Sequence, residues 1–362
     1  MTAVVDVEGL SDLARGAAIL GTGGGGDPHI GRLLAQQAMR SHGRVTLAPL
    51  ESLPDDAVIL PVAMMGAPTV MVEKLPSTEQ VSEAVRSLAR YLNVEPTHIA
   101  CIEAGGVNST VPFIAAAELG LPLVDGDAMG RAFPELQMVL PTLNGVRATP
   151  MAIADEKGNH GVFDTIDNGW AERLARSATV DMGCSVIVSL YAMSGAECRR
   201  SFVPGTLSLC RDLGEGLASA RTANQDPVDA VVERLGGQVV FAGKVVDVAR
   251  RTATGFARGE ATLHGTGPDS DHRLVLHFQN EHLVAERDHV PVVTTPDLIV
   301  VLETDTGEAV TTESLRYGQR VRVVTSPADP RWHTSGGIDL VGPRYFGYDM
   351  EPSVFGTPAG TS

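Results

Sequence analysis

Three carboxylate residues follow two short apolar runs that the sequence predicts to be neighbouring strands. Glu103 comes directly after the run at 98–102, and Asp125 and Asp127 come directly after the run at 121–124. In an open α/β sheet, ligands bind outside the carboxyl ends of the strands, so side chains at two such ends can share one crevice. Carboxylates held close together raise the pKa of one member, which suits acid or base catalysis, or they bind a divalent metal ion such as zinc. We therefore predict catalytic roles for Glu103, Asp125 and Asp127.

The same residues also have a structural interpretation. In that alternative, Asp127 caps the turn that leads into residues 128–131, and Glu103 is a solvated side chain. Small and polar neighbours of Glu103 favour the functional interpretation, because they allow a ligand to approach the backbone closely. We predict that three of these neighbours bind substrate: Gly105, Gly106 and Asn108.

A run of four glycines follows a predicted helix at 11–20. The segment 21–26 formally satisfies G-x-G-x-x-G, but it lacks the preceding strand and the later acidic residue of a dinucleotide fingerprint. Asp27 and Pro28 also stand where a phosphate-binding Walker loop has Lys and Ser or Thr. Successive glycines expose backbone N–H groups, here beside the N-terminus of a second predicted helix, and such groups bind anions. The alternative is a tight crossing of two helices. The substrate-binding residues predicted from this run are Gly23, Gly24, Gly25 and Gly26.

Further substrate-binding residues are predicted at two other positions. Arg131 can bind a substrate carboxylate through two parallel hydrogen bonds, or it can pair with Glu135. A polar triplet that begins with Asn280 and Glu281 closes the predicted strand at 273–278. The triplet either reaches into a cleft between domains or lies on the surface. We assign substrate binding to Arg131, Asn280 and Glu281.

The elements that must position these residues change in character along the chain. Apolar runs alternate with helical patterns in the first part, which is typical of an α/β fold. From about residue 236, strand-like runs separated by turn residues predominate. The sequence predicts an α/β domain at 1–235, a β-rich domain at 236–350 and a flexible tail at 351–362.

Composition narrows the classes of partner. The net charge of −16 disfavours nucleic acid and anionic membranes. The four cysteines form no C-x-x-C pair, as expected in a reducing compartment. The N-terminus lacks the pattern of a signal peptide, and the most apolar stretch, 57–65, is too short to span a bilayer. We expect a cytoplasmic protein with no nucleic-acid or membrane partner, and a homo-oligomer remains open.

Together these motifs resemble a family first described as a domain of unknown function and later associated with S-methyl thiohydantoin desulfurases. The resemblance runs in order through almost the whole chain. Its most specific parts are the glycine run with its two following residues and the GRAFPEL segment at 130–136. The matching segments are 21–28, 103–108, 125–136, 280–281, 296–299, 315–318, 341–344 and 346–347.

The resemblance implies a hydrolase in which water replaces methylthiolate at the ring carbon between two nitrogens, so that a hydantoin and methanethiol leave. Arg131 would hold a propionate arm of the kind found in histidine catabolism. The resemblance also implies an N-terminal α/β domain, a C-terminal β domain and association with hydantoinase or oxoprolinase systems. Two alternatives stay open: a hydrolase or hydantoinase-associated enzyme acting on another cyclic amide, and a non-catalytic subunit that binds a metabolite.

Overall fold

The computed structural model describes residues 3–66, 77–253 and 256–353. The chain divides into two compact units. The first contains Met1–Ala17, Gly26–Gly130 and Glu135–Arg211, and the second contains Ala18–Gly25, Arg131–Pro134 and Asp212–Ser362. The boundary expected at residues 235 and 236 stays a prediction, and most of the predicted flexible tail, from residue 354 onward, lies outside the described residues.

The first unit is built on a mixed sheet, which has ten strands within the described ranges. Four central strands are parallel neighbours, in the order β2 (Val45–Pro49), β5 (Leu123–Asp127), β4 (His98–Cys101) and β3 (Val58–Gly66). Strand β3 is buried along nearly its whole length, as expected of a parallel strand covered on both faces. The strands are β1 (Ala3–Val5), β2 (Val45–Pro49), β3 (Val58–Gly66), β4 (His98–Cys101), β5 (Leu123–Asp127), β6 (Met151–Ala154), β7 (His160–Phe163), β8 (Ser185–Ser189), β9 (Met193–Ser194) and β10 (Val203–Pro204).

Helices join and cover these strands. The helix between β4 and β5 is apolar except for Glu118, and residues 111–117 are buried, which suits a crossover packed inside a domain. No helix in the described part of the chain is both long and apolar enough to cross a membrane. The α-helices are α1 (Gly9–Leu20), α2 (His29–His42), α3 (Glu79–Leu92), α4 (Val111–Leu119), α5 (Leu140–Leu143), α6 (Asn168–Asp181), α7 (Gly195–Ser201), α8 (Thr206–Thr222), α9 (Pro227–Leu235) and α10 (Ser335–Val341). Short 3₁₀ helices span Leu50–Ser52, Gly106–Ser109, Gly267–Asp269, Pro330–His333 and Pro343–Phe346.

The second unit contains an antiparallel sheet, which has seven strands among the described residues. Alternating side chains face an apolar core: within the strand Arg273–Gln279, Leu274, Leu276 and Phe278 are buried. An α/β domain followed by a β-rich domain is therefore confirmed. The strands are β11 (Gln238–Ala253), β12 (Phe256–Gly265), β13 (Arg273–Gln279), β14 (Glu281–Arg287), β15 (Val290–Thr294), β16 (Leu298–Glu303) and β17 (Arg320–Ser326), in the spatial order β15-β14-β13-β12-β11-β17-β16.

Candidate functional site

The carboxyl ends of β4 and β5 lie side by side in the first unit. Cys101 and Asp127 are paired across the two parallel strands, and Glu103 follows two residues after Cys101. The backbone N–H of Ala104 donates to Asp127 Oδ2 at 2.9 Å. The polar residues of this edge are called here the strand-end cluster, which comprises Glu103, Asn108, Asp125 and Asp127.

Glu103 is held at this edge by Asn108. The Glu103 side chain is 7% exposed, and its Oε1 accepts a hydrogen bond from Asn108 Nδ2 at 2.7 Å. Asn108 also binds the end of β3, because its Oδ1 accepts from the Met64 N–H at 2.6 Å and its Nδ2 lies 3.3 Å from the Met64 carbonyl. Both polar atoms of the Asn108 side chain therefore contact protein groups. Asn108 acts as a positioning residue for Glu103, and substrate binding by Asn108 stays a prediction.

Asp127 has the structural role that the sequence left as an alternative. It is 0% exposed, and its oxygens accept hydrogen bonds from the backbone N–H groups of Ala104, Met129 and Gly130. Burial raises the pKa of Asp127 to about 6, against the opposing effect of these N–H groups. Asp127 thus caps the turn after β5 and ties it to the loop that carries Glu103. The catalytic role predicted for Asp127 is untested, and these contacts favour positioning.

Asp125 caps a helix. Its Oδ1 accepts from the Ser208 N–H at 3.0 Å and its Oδ2 from the Ser208 hydroxyl, in the first turn of α8. Its predicted catalytic role is likewise untested. Within the described ranges no three His, Cys, Asp or Glu side chains come together in a way that could hold a metal ion. The three predicted carboxylates therefore do not form the zinc-type site that the sequence allowed, since two of them are directed at backbone and hydroxyl donors.

Two buried thiols, which the sequence analysis did not single out, contact the loop after β4. Cys101 Sγ donates to the carbonyls of Glu103 at 2.7 Å and Asn108 at 3.1 Å, and Cys210 Sγ lies 3.5 Å from the Ala104 carbonyl. Burial raises the pKa of both thiols well above the usual value, and the Asp127 carboxylate adds to the effect. The thiols stay protonated and fix the loop. Their only sequence signal was the position of Cys101 at the end of a strand.

The glycines predicted to bind substrate differ in their conformations. Gly23, Gly25 and Gly26 have positive φ angles of 92°, 70° and 73°, which favour glycine. Gly106, at the start of a 3₁₀ helix beside Glu103, has φ 61°, whereas Gly105 has an ordinary extended φ of −82°. The backbone path alone accounts for four of these glycines, so their predicted contacts with substrate remain untested.

Within the second unit, the glycine run packs against the start of β14. A Cβ on Gly24 would lie 2.0 Å from Glu281 Oε1, and a Cβ on Gly23 would lie 2.5 Å from His282 Cδ2. The His282 N–H donates to the Thr22 carbonyl at 2.8 Å. These residues, together with Arg131, form what is called here the glycine-loop cluster: Thr22, Gly23, Gly24, Gly25, Arg131, Glu281 and His282.

Burial disfavours the charged forms of both Glu281 and His282. Glu281 is 2% exposed, and burial raises its pKa to about 8 against the opposing charge of Arg131 and a hydrogen bond from the Gly25 N–H. Burial lowers the pKa of His282 to about 3, and the charge of Arg131 acts in the same direction. Glu281 Oε2 and both His282 ring nitrogens lack hydrogen-bond partners among the described residues. Buried polar atoms of this kind call for an ordered water molecule or a ligand.

Arg131 makes structural contacts within the glycine-loop cluster. The residue is fully buried, and burial lowers its pKa to about 10, so it remains charged at neutral pH. A guanidinium group has five N–H donors, and protein oxygens accept from all of them. These hydrogen bonds join Thr22 to the β-rich sheet, and the predicted contact of Arg131 with a substrate carboxylate remains untested. The acceptors are the Ala132 carbonyl at 3.1 Å, the Pro296 and Asp297 carbonyls at 3.4 and 2.6 Å, Thr22 Oγ1 at 2.8 Å and the His282 carbonyl at 3.1 Å.

Asn280 also has a structural role. It lies between β13 and β14 with φ 58°, and its Oδ1 accepts from the Ala257 N–H at 2.9 Å. Asparagine tolerates this left-handed conformation better than most residues. The turn it forms places Glu281 at the first position of β14, so Asn280 supports Glu281, and its predicted contact with substrate remains untested.

The fold and these clusters define a two-domain protein, in which a mixed α/β sheet with a carboxylate at its strand ends is joined to an antiparallel β domain. Sequence models described as "S-Me-THD-like, N-terminal domain" and "S-Me-THD-like, C-terminal domain" match residues 8–165 and 166–354. The chain belongs to this S-Me-THD-like family, which confirms the resemblance to the S-methyl thiohydantoin desulfurase family seen in the sequence.

A solved structure has the same fold. It is an X-ray crystal structure of a protein from Chromobacterium violaceum, determined by a structural genomics consortium, and it is 22% identical to this chain. The alignment covers 97% of this chain and 99% of that chain, with a TM-score of 0.80. No curated protein matched the sequence. At this identity the likeness defines the architecture and not the activity.

Proposed function

We propose that this protein is a hydrolase of five-membered hydantoin-type rings, and that it releases methanethiol from an S-methyl thiohydantoin to give a hydantoin. Family membership over both domains supports the ring type. The observation that carries the proposal is the Glu103 carboxylate, which Asn108 holds in a fixed orientation at the carboxyl end of β4. Ligands of open α/β sheets bind at this edge.

Glu103 is the general base in this proposal. Of the three carboxylates predicted from the sequence, Asp127 has no exposed surface and Asp125 is engaged by Ser208, whereas Glu103 retains a small exposed fraction. A base must reach the proton that it removes, so residual exposure distinguishes Glu103 from Asp127. The hydrogen bond from Asn108 fixes the position of one carboxylate oxygen.

The reaction balances with water as the single co-reactant. Glu103 accepts a proton as the water oxygen forms a bond to the ring carbon that bears the methylthio group. The resulting tetrahedral intermediate collapses and the carbon–sulfur bond breaks; the departing thiolate takes up the proton that Glu103 accepted, and the remaining hydroxyl proton passes to the ring nitrogen of the former C=N bond. The products are a ring carbonyl and methanethiol. The chain needs no nucleophilic side chain for this sequence of steps, which is consistent with the absence of a G-x-S-x-G motif from the sequence.

The other residues of the strand-end cluster support Glu103 in this scheme. Asp127, Cys101 and Cys210 hold the loop that carries it, and Asp125 anchors α8. A contact of Gly105 and Gly106 with the ring belongs to the proposal as well, whereas binding of anionic charge by Gly23, Gly24, Gly25 and Gly26 stays a prediction from the sequence. We also infer a cytoplasmic location and a hydantoinase-type enzyme as a pathway partner.

The test uses purified full-length protein with a panel of substituted S-methyl thiohydantoins and hydantoins, with and without added divalent metal ions. Methanethiol release that is lost in Glu103→Gln and retained in Glu51→Gln, a change at an exposed glutamate of the same unit, supports the proposal. Ring opening without thiol would instead identify a hydrolase of another cyclic amide. Saturable binding without turnover would identify a metabolite-binding subunit.

A further inference from the structure

A groove of about 490 Å³ lies in the second unit on one face of β11, β12 and β13. In the antiparallel ladder, Arg251 pairs with Arg258, and Arg258 pairs with Gln279, so the three side chains share a face of the sheet. Phe278 belongs to the apolar core, and its neighbour Gln279 therefore faces the opposite side. The groove is thus on the face of the sheet that is turned away from the core, and its volume is in the range of small-molecule sites.

Two like charges face each other in this groove. Arg251 and Arg258 are directly opposite in the ladder, an arrangement that is unfavourable without an anion between the two groups. Within the described ranges, neither guanidinium has a carboxylate at ion-pair distance. Arg250 pairs with Gly259 in the ladder and is therefore directed to the opposite face, where it donates to the Leu315 carbonyl at 3.0 Å; Glu260 is the single carboxylate among the residues that line the groove. Positive charge therefore predominates and is not neutralised by the protein.

A buried donor without an acceptor lies beside this pair. Gln279 is 3% exposed, and its Nε2 has no hydrogen-bond partner in the described part of the chain. A buried amide N–H is costly to leave unpaired, so natural proteins rarely do so without a ligand or water. Because Arg258 and Gln279 are directly opposite each other in the ladder, a ligand oxygen that contacts Arg258 would also lie close to Gln279.

The remaining wall is aromatic. Phe346 ends the 3₁₀ helix Pro343–Phe346, and Tyr348 follows it; both line the groove and are partly buried. Burial raises the pKa of the Tyr348 hydroxyl, Arg258 acts in the opposite direction, and Glu286 and Glu260 add to the effect of burial. The His277 ring lies 5.6 Å from the Tyr348 ring and limits its movement. A flat apolar group fits against such rings.

We propose that this groove binds a small aromatic carboxylate. The carboxylate lies between Arg251 and Arg258 and accepts a hydrogen bond from Gln279 Nε2, and the ring of the ligand packs against Phe346 and Tyr348. Glu260 on the same wall disfavours a phosphate, because a second negative charge on the ligand would be repelled. This site is a second ligand site that does not involve Glu103.

The test measures binding of 4-fluorobenzoate to the full-length protein by ¹⁹F NMR, with 4-fluorobenzamide as the neutral analogue and inorganic phosphate as a competitor. We expect binding of 4-fluorobenzoate, at least tenfold weaker binding of the amide, and weak competition by phosphate. Arg251→Gln and Arg258→Gln should each weaken binding at least tenfold. Both side chains are exposed, so these variants should fold; Gln279→Leu should also weaken binding.

The matched control is Arg320→Gln, which removes an exposed arginine from β17 of the same sheet and should leave binding unchanged. Glu103→Gln should also leave it unchanged, which separates this proposal from the proposed hydrolase activity. Absence of 4-fluorobenzoate binding, or binding that Arg251→Gln and Arg258→Gln leave intact, would overturn the proposal. Equal binding of the amide, or full displacement by equimolar phosphate, would overturn the assignment to an aromatic carboxylate.

Discussion

Gly24 and Glu281 are in such close contact that a Cβ on residue 24 would lie 2.0 Å from Glu281 Oε1. Gly24 does not have a positive φ, so its conformation does not require glycine. Residue 24 must be glycine because the carboxyl group of Glu281 lies directly against its backbone. The consequence is a buried acid whose pKa burial raises to about 8. The glycine run, whose sequence resembles a phosphate-binding loop, therefore lies against an acidic side chain of the same unit.

The contact predicts a strong coupling between the two positions. Gly24→Ala should lower the free energy of unfolding by about 1–3 kcal/mol, because the methyl group must displace the Glu281 side chain. In a Glu281→Ala background the cost should be much smaller, giving a coupling of at least about 1 kcal/mol in a double-mutant cycle measured by urea unfolding.

Gly161→Ala is the control, since a Cβ there meets nothing nearer than 3.9 Å. It should change stability by less than about 0.5 kcal/mol. Additive effects of Gly24→Ala and Glu281→Ala would contradict the contact.

The raised pKa of Glu281 predicts a defined pH dependence of stability. The folded-state pKa of about 8 is above the ordinary value of 4.5, which applies to the unfolded state. Between these two pH values the folded state holds a proton that the unfolded state has lost, so the free energy of unfolding falls as the pH rises. His282 acts with the opposite sign, but only below its ordinary pKa of 6.5. Between pH 6.5 and 8, wild type should therefore lose up to about 1.4 kcal/mol per pH unit relative to Glu281→Gln.

Urea unfolding at several pH values in this window measures the difference. Glu51→Gln, at an exposed position, should run parallel to wild type. A constant difference between wild type and Glu281→Gln from pH 6.5 to 8 would show that Glu281 is ionised in the folded protein at neutral pH.

Asp127→Asn should affect stability more than catalysis. The amide nitrogen of the asparagine would face backbone N–H groups that now donate to a carboxylate, which should cost about 1–3 kcal/mol. Turnover per folded molecule should change by less than about tenfold. Asp56→Asn, at an exposed aspartate, provides the stability baseline. Unchanged stability with a loss of turnover of ~10²-fold or more would move the general-base role from Glu103 to Asp127.

The convergence of Glu103 and Asp127 was predictable, because the ends of adjacent parallel strands follow from local apolar runs and turn residues. The role of Arg131 was not, since its acceptors on Pro296, Asp297 and His282 come from sequence positions more than 150 residues away. No local pattern reveals whether a buried guanidinium is already satisfied.

The same limit applies to the second unit. Strand β14 was missed because one residue, Asn280, separates it from β13, which leaves no turn sequence of the usual length. The contact between Gly24 and Glu281 is likewise between residues that are far apart in the sequence. Such contacts are created by tertiary packing. The sequence therefore indicated which residues are chemically capable of a role, but it did not indicate which role each one has in the structure.

Hydrolysis with Glu103 as the base is tested most directly by product analysis in oxygen-18 water. Wild type is incubated with an S-methyl thiohydantoin, and both methanethiol and the isotopic content of the hydantoin carbonyl are measured, with a control for exchange of the finished product. One labelled oxygen should appear for each methanethiol released, and Glu103→Gln should lower the rate by at least ~10²-fold while leaving the fold intact. Unlabelled hydantoin from wild type, or near-normal methanethiol release by folded Glu103→Gln, would contradict the proposal.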